Sequence, residues 1–228
     1  EYYLPIQDAG ATLTTIAQTL PLAPESKMHF DLDGSAGLDL PVLGSIKIVM
    51  VGPRAVQING QSDKTKEAFA NRLASSMGEG AQFLDIVVEQ GADDSQSTLT
   101  ITGIFPQLFK FAESRGEFNP SRMIKAAEFK PNRSQKQWQD IPVSVGRRSS
   151  DIYSMRVKLP LNSNELDVKG KLQLEAEAAG KLFSRNVEVA GREVNFVEQV
   201  TSLGGEIASE QLPEERRKAA AVAREKLT

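Results

Sequence analysis

The chain has 228 residues, 40% of them hydrophobic and 25% charged, with a formal net charge of -3. Those values fit a globular chain able to bury a sizeable core, and they exclude collagen-like, disulfide-scaffold and wholly disordered classes. With no cysteine and one histidine, His29, thiol nucleophiles, thiolate metal sites and paired imidazoles drop out together.

Residues 1–24 carry Pro5, Pro21 and Pro24 without a sustained period and read as a connector arriving from an upstream domain. Glu1 opens the chain without an initiator methionine, and no basic-then-apolar leader follows it, as in a piece cut from a longer protein. From Lys27 the pattern turns strand-like: Met28, Phe30 and Leu32 alternate with His29, Asp31 and Asp33. A loop punctuated by Gly34, Gly37, Pro41 and Gly44 leads to a β-branched run at Ile46–Val51. Ser62 or Asp63 offers an N-cap to an amphipathic helix with Phe69, Leu73 and Met77 on one stripe and Gly78 as its C-cap. Leu84–Val88 and Thr98–Ile104 are strands joined as a hairpin.

Between Phe105 and Pro142, three prolines (Pro120, Pro131, Pro142) interrupt helical propensity, so the segment is expected to be irregular and to mark a junction between two subdomains. Strand alternation resumes at Ile152–Leu159. Phe183–Val189 and Glu193–Val200 flank Ala190-Gly191-Arg192, a hairpin turn in which Gly191 takes positive φ. A closing helix runs over 213–227, with Pro213, Glu214 and Glu215 in its first turn and Arg224 and Lys226 in its last. The expected class is mainly β (α+β): an antiparallel, sandwich-like domain over 25–228 with two peripheral helices.

His29, Asp31 and Asp33 share a strand face, but polar-out alternation makes them a solvated face before it makes them metal ligands. Asp31, Asp33 and Asp39 fail the calcium-loop spacing, because Gly34 stands fourth and Val42 twelfth. No P-loop, dinucleotide fingerprint, nucleophile elbow or zinc-helix motif occurs. Neither a catalytic residue nor a cofactor or metal site is therefore assigned. Charge is the informative feature. Residues 121–158 hold nine basic side chains against three acidic, whereas 25–120 hold eight against thirteen. The basic stretch, interleaved with Phe129, Trp138 and Tyr153, makes Arg133, Trp138, Arg147, Arg148 and Arg156 the candidate anion- or partner-binding residues. Mutual neutralisation of the two segments is the simpler reading, and a sequence pI near 5.4 argues against nucleic acid as the partner. No apolar run is long enough for membrane insertion.

The C-terminal third carries a further pattern. It comprises Asp140-Ile-Pro-Val, Arg147-Arg148, Tyr153-x-x-Arg156-Val-x-Leu-Pro160, Ala179-Gly180, Arg185, Gly191, and Gly204-Gly205-Glu206-Ile207 before an Ala/Glu/Arg-rich helix. Together these resemble the C-terminal region of large bacterial proteins that join an N-terminal β-rich domain of unknown function to a transglutaminase-like domain. Glu1-Tyr-Tyr-Leu resembles that domain's tail, although Pro5-Ile6-Gln7 stands where Asp-Gly-Thr often follows. The resemblance implies a non-catalytic accessory domain, extracytoplasmic (periplasmic), partnered with an upstream Cys-His-Asp domain that it packs on or presents substrate to. The alternative is an independent binding module for a glycan or anionic polymer, or for a protein ligand, through 121–158.

Overall fold

The computed structural model describes residues 2–3, 14–15, 23–37, 39–75, 81–92, 95–106, 110–112, 115–160, 168–225 and 227. Eight strands form one sheet: β1 (Ser26–Asp33), β2 (Val42–Val51), β3 (Gln82–Gln90), β4 (Gln96–Phe105), β5 (Ser149–Lys158), β6 (Gln173–Ala178), β7 (Lys181–Ala190) and β8 (Glu193–Ser202). Their order across the sheet is β6-β7-β8-β5-β1-β2-β4-β3. The helices are α1 (Pro53–Asn59), α2 (Asp63–Ser75), α3 (Met123–Ala126) and α4 (Leu212–Arg224).

The β-rich α+β class expected from the pattern is what the chain adopts; the layering differs from a sandwich. Every neighbouring pair in the large sheet is antiparallel except the central one, where β5 lies parallel to β1 with Asp151 opposite Ser26 and Lys158 opposite Asp33. Alternation reveals which face of a strand is buried but not which distant strand lies beside it, and a parallel neighbour requires a long return connection. Here three strands, β2 to β4, and the segment 106–148 separate the two partners.

One face of this sheet is the core face. Phe183 and Val187 alternate with Arg185 on β7, and Phe196 and Val200 with Glu198 on β8, all pointing the same way. Phe30, Ile46, Ile48, Leu99 and Ile101 join Ala55 of α1, with half-buried Ile58 and Phe69 packed on them. Each fully buried aliphatic side chain there contributes about 2 kcal/mol. Phe183, Leu174 and Ala178 form a second cluster with Met123 of α3 and with Leu212, Ala219 and Val222 of α4.

Two helices were anticipated, and the described residues hold four. α2 starts at the expected Asp63 and Phe69 turns inward, while Met77 and Gly78 lie outside the described residues. α1 is not among the expected helices. Gly52 has φ 68 and Pro53 occupies the first helical turn, so these two residues start a helix. Of the expected connector, the described part is a short antiparallel pair, Tyr2–Tyr3 with Thr14–Thr15. In the 105–142 stretch the described residues hold a short hairpin (Lys110–Ala112 with Arg115–Glu117), α3 and one 3-10 turn at Lys136–Trp138. Among the described residues no helix is long and apolar enough to cross a membrane.

Candidate functional site

Strand register builds the site. A single row of core-face residues crosses all eight strands: Leu174, Arg185, Glu198, Tyr153, Met28, Ile48, Leu99 and Val88. Six are apolar or aromatic. The other two, Arg185 and Glu198, are only 3% and 2% exposed and sit where the two hydrophobic clusters meet.

An isolated buried carboxylate would be costly, so its partners matter. Glu198 Oε1 accepts the Arg185 Nε–H at 2.9 Å and the Ser121 hydroxyl at 2.7 Å; Oε2 accepts the backbone N–H groups of Arg122 and Met123 at 2.9 and 3.1 Å. Arg185 donates in addition to Ser121 Oγ at 3.0 Å and to the Glu225 carbonyl at 2.8 Å. The pair thus fastens the entry to α3 and the exit from α4 to β7 and β8 of the sheet. Positions 185 and 198 were legible as an oddity: each is a charge at an inward position of an otherwise apolar alternation, and the two signs are opposite.

Beside this node the aromatic rings of Phe30, Tyr153 and Phe196 meet edge to face, with centroids 5.2 and 5.8 Å apart. The Arg122 guanidinium lies 4.9 Å from the Tyr153 ring centroid and 5.8 Å from that of Phe30. Burial pushes the Tyr153 phenol up to about 12, against the opposing pull of Arg122. At neutral pH it is a protonated, neutral group.

Arg122 divides two openings. One, of about 470 Å³, is walled by Met28, Met123, Val145, Tyr153, Val200 and Lys181. The other, about 300 Å³, is lined by Phe30, Phe105, Phe118 and Met155. The larger opening shares Ser26 and Met28 with a third cleft of about 870 Å³ beneath α1 and α2. At its mouth Arg147 grips Glu25 through two contacts of 2.7 and 2.6 Å, and Arg54 bonds Asp151 at 2.6 Å. This network ties the first half of the chain to the second.

The five candidate residues do not gather at one place. Arg147 lines the larger opening. Arg148 Nε donates to the Leu203 carbonyl at 2.8 Å, and Arg133 Nη2 to the Ile141 carbonyl at 2.8 Å. Trp138 is half-buried in the 3-10 turn. Arg156 is on the opposite face of the sheet, which carries no helix among the described residues, and there it bonds both oxygens of Asp31 at 3.0 and 2.7 Å. On that face the acidic strand and the basic strand pair in register: His29 Nδ1 is 2.9 Å from Ser154 Oγ, Asp31 meets Arg156, and Lys158 is 3.5 Å from Asp33. Hydrogen bonds from Ser35 and the nearby Lys158 charge hold Asp33 below the usual carboxylate range. Glu25, Asp31 and Asp33 of the acidic segment therefore neutralise Arg147, Arg156 and Lys158 of the basic one. Comparison of the chain with family models, curated proteins and solved structures gave no match in any of the three.

Proposed function

We propose that this chain is a non-catalytic accessory domain of a bacterial, exported transglutaminase-like protein, packing on or presenting substrate to an upstream Cys-His-Asp domain. One observation carries the reading: the groups most suited to acid–base chemistry are engaged in holding the fold. The Glu198 carboxylate takes four hydrogen bonds inside the core, from Arg185, Ser121 and the amides of Arg122 and Met123. The Tyr153 phenol stays neutral. His29 stands on the far face of the sheet from the clefts, against Ser154. The clefts offer apolar walls beside a guanidinium, which suits holding a segment of a neighbour rather than transforming it.

The test is to express the parent with and without residues 25–228 and to follow acyl transfer by the upstream domain. The expected result is a drop in turnover on deletion, restored on adding the domain in trans. Identical turnover in all three preparations overturns the proposal. Arg122 over Tyr153 at the lip of a cleft also favours the second reading, a module for a glycan or anionic polymer. Salt-sensitive heparin binding lost in the Arg147→Ala, Arg148→Ala double variant, with the circular dichroism spectrum of the folded chain retained, would select it.

A further inference from the structure

α1 and α2 do not close completely over the sheet. Between them and the core faces of β1 and β2 lies the cleft of about 870 Å³, within the range of about 300–1,000 Å³ in which clefts hold single small molecules. Its floor is Met28, Ile48 and Met50, and its roof is Ile58 and Phe69, which stay half-buried although they pack toward the core. The two methionines let the floor adapt to an irregular shape. Among the described lining residues there is no carboxylate, whereas Arg54, Lys66 and Arg72 supply three cations. α2 sorts its charges by side: Asp63 and Glu67 line a separate cleft toward β3, Arg72 lines this one, and Lys66 reaches both. Arg54 is held by Asp151 and Glu25. The Lys66 side chain is only 17% exposed, and its ion-pair partner, the fully exposed Asp63, stands 3.7 Å away. Among the described residues Arg72 forms no ion pair.

We propose that this cleft binds a free single-chain alkyl carboxylate, its chain lying between the methionine floor and the Ile58–Phe69 roof and its head group at Lys66 and Arg72. An occupant here meets side chains and not backbone. β1 and β2 each have strand neighbours on both sides, so their N–H and C=O groups are bonded within the sheet. An inserted peptide would bury an amide at every residue with no partner on that floor, and an alkyl chain buries none. The rim then selects the head group: a carboxylate accepts charge-assisted bonds from an ammonium and a guanidinium, and a cationic head is repelled. The cleft meets the larger opening at Ser26 and Met28, which gives a longer chain room to extend toward Tyr153. The cationic rim lies away from Arg122, and the test requires no upstream domain, so the inference stands or falls apart from the accessory-domain reading.

The experiment is an isothermal calorimetric titration of the full chain with dodecanoate below its micelle-forming concentration. One saturable site of micromolar affinity is expected, tightening about three- to fourfold per methylene from octanoate to dodecanoate. Dodecanol should bind at least about tenfold more weakly, and dodecyltrimethylammonium more weakly still. Amide exchange should slow on binding over α1, α2 and β2. Lys66→Met with Arg72→Gln should weaken dodecanoate at least about tenfold and leave dodecanol unchanged. No saturable binding, equal affinity for dodecanoate and dodecanol, or slowed exchange confined to residues 121–126 overturns the proposal. So does binding to phosphatidylglycerol vesicles without binding of monomeric dodecanoate, which would assign the cleft to a bilayer surface. A dimer in sedimentation that Ala68→Lys dissolves would assign it to a second copy and overturns it equally. If the double variant does not fold, the carboxylate–alcohol comparison and the exchange measurement on the unmodified chain decide the matter.

Discussion

Arg185 and Glu198 face each other across β7 and β8, with both charges shut in between two hydrophobic clusters and bonded to Ser121, the Arg122 and Met123 amides and the Glu225 carbonyl. Removing one partner strands the other in a low-dielectric interior. Glu198→Leu should therefore cost about 3–5 kcal/mol, read as a lower urea midpoint at unchanged slope. Arg185→Met with Glu198→Leu should cost clearly less than the two single changes together. Additive losses would mean that the pair is not coupled.

The β6–β7 turn supplies a second test. Ala179 has φ 51 and Gly180 φ 70, and a Cβ at 180 would sit 2.7 Å from Val145 Cγ2. Gly180→Ala should destabilise by about 1–3 kcal/mol through overpacking. Ala179→Gly should relieve a left-handed alanine and stabilise by up to about 1 kcal/mol. Thermal melts of the two variants should move in opposite directions.

The same turn predicts a pH dependence. The Lys218 hydrogen bond, followed by the Ala179 backbone N–H at 2.6 Å, holds the Glu215 carboxyl below its usual range. Its folded pKa lies below the unfolded value, so its contribution is fully present above the ordinary glutamate range and is lost as pH falls through the folded value. Glu215→Gln should lower stability at pH 7 and lower it by less at pH 3. Chemical denaturation at the two pH values checks the difference.

The two ion-pair groups should respond differently. Glu25 is mostly buried at the mouth of the larger cleft and joins both halves of the chain, so Glu25→Ala should lower the melting temperature measurably. Asp31→Asn on the open face should leave it within error, because exposed pairs contribute little. A larger loss from Asp31→Asn than from Glu25→Ala would reverse this ordering.

At the lip of the clefts, Arg122→Ala removes a guanidinium from the Tyr153 face, a contact worth about 1 kcal/mol. A modest drop in unfolding free energy is expected, together with a change in near-ultraviolet tyrosine dichroism. An unchanged aromatic spectrum would place the guanidinium elsewhere in solution.

Local patterning was a sound guide where period and punctuation are themselves the physics. Met28-x-Phe30-x-Leu32 marks a half-buried strand, Gly191 with φ 59 turns the β7–β8 hairpin, and Pro213-Glu-Glu opens α4. Absence of cysteine and the single histidine likewise narrowed the chemistry before any fold was known. The charge imbalance between 25–120 and 121–158 was visible too, and mutual neutralisation was its simpler reading, but which residues pair was not. Only the parallel register of β1 against β5 shows that Asp31 consumes Arg156, and Asp33 Lys158.

What tertiary structure alone decided are the relationships between distant residues. That strands 26–33 and 149–158 are neighbours, that Glu198 answers Arg185 and caps the approach to α3, and that Arg122 covers Tyr153 all depend on contacts separated by many residues in the chain. Alternation specifies which face of a strand avoids water, because burial is a property of each side chain. Partner choice is a property of the assembled sheet, in which packing and charge compensation are satisfied together, and no local period encodes it.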